Sequence, residues 1–143
     1  MNASEKVNFI STWIKNYVNN MPVKAQSLVI GISGGVDSSV SSTLSAMTGL
    51  KTIVLSMPIK QNSHQHDLSL KHQEWLVNKF NNVEAHTINL DELFSAFSSS
   101  LTKFDNEHGM ANSRARLRMT TLYQAAAANK GIVVGTGNKV EDF

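Results

Sequence analysis

The feature that most constrains this chain is a short apolar run that breaks into glycine and reopens as a helix. Ser27-Leu-Val-Ile-Gly-Ile32 is nearly continuous in apolar residues, the pattern of a strand covered on both faces. Ser33-Gly-Gly35 follows at once. Asp37-Ser-Ser39 then opens a segment in which Val40, Leu44 and Met47 recur at helical spacing, with Gly49 as the stop. A strand buried on both sides needs helices above and below it, which predicts an α/β fold built on a parallel sheet.

The remaining chain repeats the alternation. Residues 4–19 place Val7, Ile10, Ile14, Tyr17 and Val18 on one helical face, and Pro22 ends the pattern. A second strand runs over Lys51–Ser56 and closes at Pro58, and Lys60 to Asp67 reads as a polar loop. Next come a helix carrying Leu68, Trp75, Leu76 and Phe80, a strand over Val83–Ile88, and a helix marked by Leu93, Phe94, Phe97, Leu101 and Phe104. A long helix over Ala111–Lys130 and a fourth strand, Gly131–Gly135, complete the series. Trp13, Trp75, Phe94, Phe97 and Phe104 read as core aromatics rather than as a cofactor box.

A length of 143 residues suits one domain, 1–143, with a single core and no need of disulfides. With no cysteine, thiol catalysis and zinc ribbons are excluded. No apolar stretch is long enough for a bilayer and no secretory leader is visible, so the expected location is cytoplasmic, away from any membrane. A net charge of +2 gives no reason to expect a nucleic-acid partner. The sequence stops at Phe143, eight residues after the fourth strand begins its ligand-loop position, where a crossover is expected. The domain is therefore expected to be truncated at its C-terminal end.

Chemistry concentrates in Gly31-Ile-Ser-Gly-Gly-Val-Asp-Ser38. Glycines let main-chain N–H groups approach an anion, and the helix that follows aims its positive end at the same point. Ser33, Ser38 and Ser39 add hydroxyls, while Asp37 could cap the helix or hold a hard cation. A Walker loop is excluded, since no Lys or Arg lies between Lys24 and Lys51. A G-x-G-x-x-G dinucleotide fingerprint is also missing. A purely structural turn capped by Asp37 stays open.

Three segments carry a resemblance. Ser33-Gly-Gly-Val-Asp-Ser38 is similar to the S-G-G-x-D-S pyrophosphate loop of the N-type ATP pyrophosphatases. Asn112-Ser-Arg-Ala-Arg-Leu-Arg-Met119 resembles the A-R-x-R-M helix of the NAD synthetases, and Val133-Val-Gly-Thr-Gly-Asn-Lys-Val-Glu141 their V-G-T-x-x-x-x-E segment. By these motifs, in that order, the chain is identified as a member of the NAD synthetase family, ammonia-dependent type. The resemblance implies a doubly wound parallel sheet, Rossmann-like and of adenine nucleotide alpha hydrolase type, with helices on both faces. It implies ATP-dependent amidation of deamido-NAD by ammonia through an adenylate, releasing AMP and pyrophosphate. It further implies that Gly31, Ile32, Ser33, Gly34, Gly35, Val36, Asp37, Ser38 and Thr136 bind ATP. Asp37 and Glu141 would be the Mg²⁺ ligands and catalytic groups, Arg116 would contact deamido-NAD, and the protein would be a homodimer. Two other readings remain: another N-type ATP pyrophosphatase such as a tRNA-modifying ligase, and a non-catalytic ATP-binding module.

On the long helix Ala115, Met119, Leu122 and Ala126 form the expected buried stripe, with Arg116 about 100° to one side and Arg114 and Arg118 on the other flank. Arg114 and Arg118 read as solvated. His64, His66 and Asp67 read as a solvated loop that His72 is not placed to complete as a metal site. Ser56 and Met57, after the second strand, are candidate adenine contacts.

Overall fold

The computed structural model describes residues 1–60 and 63–138. Helices are α1 (Ala3–Asn19), α2 (Val36–Ala46), α3 (Ser63–Lys79), α4 (Asp91–Ser100) and α5 (Glu107–Ala128), with a 3₁₀ turn at Thr102–Phe104. Strands are β1 (Ser27–Gly31), β2 (Thr52–Ser56), β3 (Val83–Thr87) and β4 (Gly131–Val133). All pair in parallel, in the order β3-β2-β1-β4, with Val29 opposite Ile53 on one side and Val133 on the other. Among the described residues no helix is long and apolar enough to cross a membrane.

Because side chains alternate along a strand, each half of the apolar run serves a different layer. Val29, Ile53 and Leu55 pack with Leu90, Phe94, Leu122 and Ala126 of the α4–α5 layer. On the opposite face, Ile30, Ile32 and Val54 meet Ala46 and Leu76 of α2 and α3. Leu28 joins Val18 and Ala25 there, under α1. This is the predicted parallel α/β sheet with helices on both faces.

The α2–α3 layer is bonded as well as packed. Ser42 and Ser45 are fully buried in α2, and small side chains let that helix lie close to the sheet. Ser45 Oγ donates to the Ser41 carbonyl and Ser42 Oγ lies 2.9 Å from His72 Nε2 of α3. Gln73 donates to the carbonyls of Val54 and His86, and Asn82 donates to those of Ala46 and Leu50. Each of these buried groups is thereby satisfied, which is the condition for a polar layer to stabilise rather than cost.

Several expectations are corrected. Residues 63–67, expected in a polar loop, form the first turn of α3, where Ser69 Oγ donates to the His66 carbonyl. Of the expected core aromatics only Phe94 is buried; Phe97 and Phe104 are exposed, the latter because the helix breaks at Leu101. Trp13 and Trp75 are also exposed, and Trp75 stacks on His72 at the helix surface. In α1 the packed positions are Ser11, Ile14 and Val18, so Ile10 and Tyr17 face solvent. A buried serine, bonded to the Leu44 carbonyl at 3.1 Å, took the place an apolar count had given to Ile10.

Three stability outcomes follow from this packing. Leu28→Ala should cost about 2–5 kcal/mol in urea unfolding, since Leu28 is fully enclosed. At Gly131 an added Cβ would lie 2.7 Å from the Ser27 carbonyl oxygen, so Gly131→Ala should lose about 1–3 kcal/mol by forcing β4 away from β1. Burial holds the His72 imidazole below its usual value, against a weaker opposing pull from the Ser39 carbonyl. A folded-state value below the unfolded one contributes stability that is fully present above the unfolded value and is lost as pH falls from there through the folded value. The thermal midpoint should therefore drop on acidification from neutral pH, and His72→Gln should flatten that drop.

Candidate functional site

The strand order creates the site. β1 is followed by β2 on one side, while β4 enters on the other, so the crevice opens past the C-terminal ends of β1 and β4. The segments Ile32–Gly35 and Val134–Asn138 leave those two strand ends side by side.

The loop is wound around one hydroxyl. Ser38 Oγ accepts from Ser33 N at 3.1 Å, lies 3.2 Å from Ser33 Oγ and donates to the Gly35 carbonyl at 3.3 Å. Ser39 Oγ donates to that same carbonyl at 2.8 Å, and Gly35 N donates to Ser33 Oγ. Gly34 adopts φ +94°, open to glycine but strained for other residues. A Cβ on Gly34 would also run into the Gln65 carbonyl, so the first turn of α3 sits directly over the loop.

Gly35 is the N-cap of α2 and no side chain caps the helix. The structural turn capped by Asp37 is therefore not what forms. The first bond of the α2 ladder runs from Ser39 N to the Gly35 carbonyl, so earlier N–H groups have no partner within the helix. Asp37, in the first helical turn, instead accepts from Asn138 Nδ2 at 2.7 Å, tying the segment after β4 to the loop after β1.

A cavity of about 400 Å³ lies beside this junction. Ser33, Ser38, Thr136 and Gln65 give it a polar side, and Ile32, Met57, Ala115, Met119 and Leu122 an apolar one, with Gly31 at its floor. Met57 lines it; Ser56 does not, being fully buried with its hydroxyl 2.9 Å from that of Ser69. Gly34, Gly35, Val36 and Asp37 border the crevice through the loop without lining the cavity, and the Val36 side chain points to solvent. Glu141 lies outside the described residues.

The long helix differs from expectation. Leu122 and Ala126 are buried, but Ala115 and Met119 are exposed toward the cavity instead of completing a core stripe. Arg116 is exposed in a neighbouring hollow with Thr120, Tyr123 and Gln124, and Met119 borders both spaces. Arg118 is not on a solvated face. It is half-buried, lines the cavity, and donates from Nε to the Met57 carbonyl at 2.9 Å. Burial, and Arg114 nearby, hold its guanidinium below the usual arginine range. The signal for it was the spacing 118, 122, 126, one helical row that continues the two buried positions. Gln65 was missed for want of any sequence signal.

As donors for a metal, the loop offers the Asp37 carboxylate, and no group of three or more metal-ligating side chains occurs among the described residues. A hard cation such as Mg²⁺, which takes one or two carboxylates and completes its shell with phosphate and water oxygens, fits such a donor set.

The chain is similar to known proteins over nearly all of its length. The family model described as NAD synthase matches residues 6–143. The NH(3)-dependent NAD(+) synthetase of Carboxydothermus hydrogenoformans is 34% identical over 146 residues, covering 99% of this chain and 57% of that protein. The solved NMN synthetase from Francisella tularensis is 35% identical with a TM-score of 0.85, over 96% of this chain and 56% of that one. The solved NH3-dependent NAD synthetase from Campylobacter jejuni is 28% identical, also at 0.85, over 99% of this chain and 59% of that one. The chain thus spans about half the length of the relatives it matches. With a family match over nearly all its residues, the chain belongs to the NAD synthase family.

Proposed function

We propose that this chain supplies the ATP-binding part of an ammonia-dependent NAD synthetase. The observation that carries the reading is the Asn138–Asp37 bond, which draws the phosphate-type loop and the segment after β4 around one cavity. A carboxylate oxygen of deamido-NAD attacks the α-phosphorus of ATP, the bond to the β-phosphate oxygen breaks, and pyrophosphate leaves. Ammonia then adds to the acyl carbon, the C–O bond to AMP breaks, and the amide of NAD remains after loss of a proton to solvent.

The chain's own part is binding and positioning. Loop N–H groups and the start of α2 would hold the outer phosphates, with Ser33, Ser38 and Thr136 as hydroxyl contacts. Gly31, Ile32, Gly34, Gly35 and Val36 would shape that cradle through their backbone. Asp37 and Glu141 would hold Mg²⁺, which when bound neutralises phosphate charge. In this reading Arg116 contacts the acceptor dinucleotide. A homodimer in the cytoplasm is the assembled form we favour, supported by the exposed Met119 and Tyr123 beside Arg116.

A mononucleotide acceptor is the second reading. The Francisella tularensis protein described as an NMN synthetase favours it, at 35% identity.

The chain, and a chimera in which the C-terminal part of the Carboxydothermus hydrogenoformans relative follows residue 143, should be incubated with Mg-ATP, ammonium and each acceptor. Products should be identified by mass. NAD with AMP and pyrophosphate in equal amounts is the expected result, and an amidated mononucleotide would select the second reading. AMP and pyrophosphate without amidation would point to another ATP pyrophosphatase, and ATP binding without turnover to a binding module. Asp37→Ala should lower turnover by about 100-fold or more while costing only about 1–2 kcal/mol of stability, the worth of its bond from Asn138. Gly34→Ala should weaken ATP binding and lower stability by about 1 kcal/mol or more, read by calorimetry on the same sample.

A further inference from the structure

Among the described residues Arg118 is a cation without a counter-charge. Its Nε is committed to the neutral Met57 carbonyl, and among the described residues neither Nη meets a hydrogen-bond or ion-pair partner. The charge that acts on it is that of Arg114, of the same sign, whose guanidinium lies over the Phe94 ring. A half-buried guanidinium with a like-charged neighbour and no carboxylate is costly unless an anion completes it. The Met57 bond also fixes its orientation, so little side-chain freedom is left to lose on binding.

Its place in the cavity narrows the anion. Met57 and Leu122, which both flank Gly31, are apolar lining suited to a base and sugar, whereas Ser33 and Ser38, paired with each other at the start of α2, and Thr136 are polar lining. Arg118 reaches the apolar set through its bond to the Met57 carbonyl and lines the same cavity as the serines, so the group it would serve is one that joins a nucleoside to its outer phosphates. In a nucleoside triphosphate, the group at that junction is the α-phosphoryl.

We propose that Arg118 binds the α-phosphoryl group of the nucleotide through its two Nη atoms, held in place by its Nε–Met57 bond. This rests on the ATP-binding function proposed above. It makes Arg118 a substrate-contacting residue for the adenylation step, separate from the loop that holds the outer phosphates.

The test measures binding of ATP, AMP, adenosine and inorganic pyrophosphate to the chain and to its Arg118→Met and Arg118→Lys variants by calorimetry. Arg118→Met should lower the preference for AMP over adenosine by about tenfold or more, the worth of a charge-assisted contact. Adenosine and pyrophosphate affinities should stay within about twofold, because neither ligand carries the α-phosphoryl. Arg118→Lys, which keeps the charge but cannot serve Met57 and the anion together, should lose less, and added salt should shrink its remaining preference. An unchanged AMP-to-adenosine ratio in Arg118→Met overturns the proposal. So does an equal loss for AMP and adenosine, which would make Arg118 a brace for Met57 alone. Should Arg118→Met fail to fold, a Lys variant whose ratio matches the parent at all salt concentrations overturns it instead. A parent chain that binds none of the four ligands removes the ATP-binding function and this assignment together. One that binds ATP and pyrophosphate, with an unaltered variant, removes only this assignment.

Discussion

The enclosure of β1 on both faces is the constraint on which the rest depends. Leu28, Val29 and Ile30 are all inaccessible to solvent, yet they point into opposite layers. A strand in that position must have neighbours on both edges, and parallel neighbours require crossovers. Two crossovers step from β1 toward β3 through α2 and α3, and the return to β4 runs through α4 and α5. With a common handedness, opposite directions along the sheet place the two helix pairs on opposite faces. The crevice between the ends of β1 and β4 is a by-product of that reversal. The loop at Ser33–Ser38 gains its chemistry from standing there.

Much of this was legible because β1 and its turn use strong local signals. The run Ser27–Ile32 and the glycines after it admit few alternatives, and β2, β3 and β4 fell within one or two residues of their predicted bounds. Part of what was not legible has one cause: polar side chains buried with partners distant in sequence. Ser11, Ser42, His72 and Gln73 look like surface residues in a linear reading, and each is paired across elements. Periodicity alone misplaced Ile10, Phe97 and Phe104, since it cannot see where a helix breaks or which face a partner covers. For the candidate site, the sequence pointed to Ser33, Ser38 and Thr136, which line the cavity, whereas the row 118, 122, 126 hints at Arg118 without showing the Met57 carbonyl that holds it.

The α2 helix illustrates a compromise between closeness and charge. Its buried positions are Ser38, Ser42, Ser45 and Ala46, small enough for near contact with the sheet, and the serine hydroxyls return to backbone carbonyls or to His72. Longer apolar side chains would have lifted α2, and with it the loop that Ser38 gathers. The phosphate-type cradle and the choice of serine in the layer beneath it are therefore one decision at two depths.

The two outer strands of the sheet are unlike. β3 carries Glu84 and His86 on its exposed side, paired at 2.8 Å, and α3 packs across it. β4 is Gly131-Ile-Val133, three residues without a charge, and among the described residues only β1 pairs with it. Among the described residues, one margin of the sheet thus carries charged side chains, and the other presents backbone donors and acceptors that only β1 meets. Within the described residues β4 is the margin at which a further strand, from another segment or a second molecule, could be added.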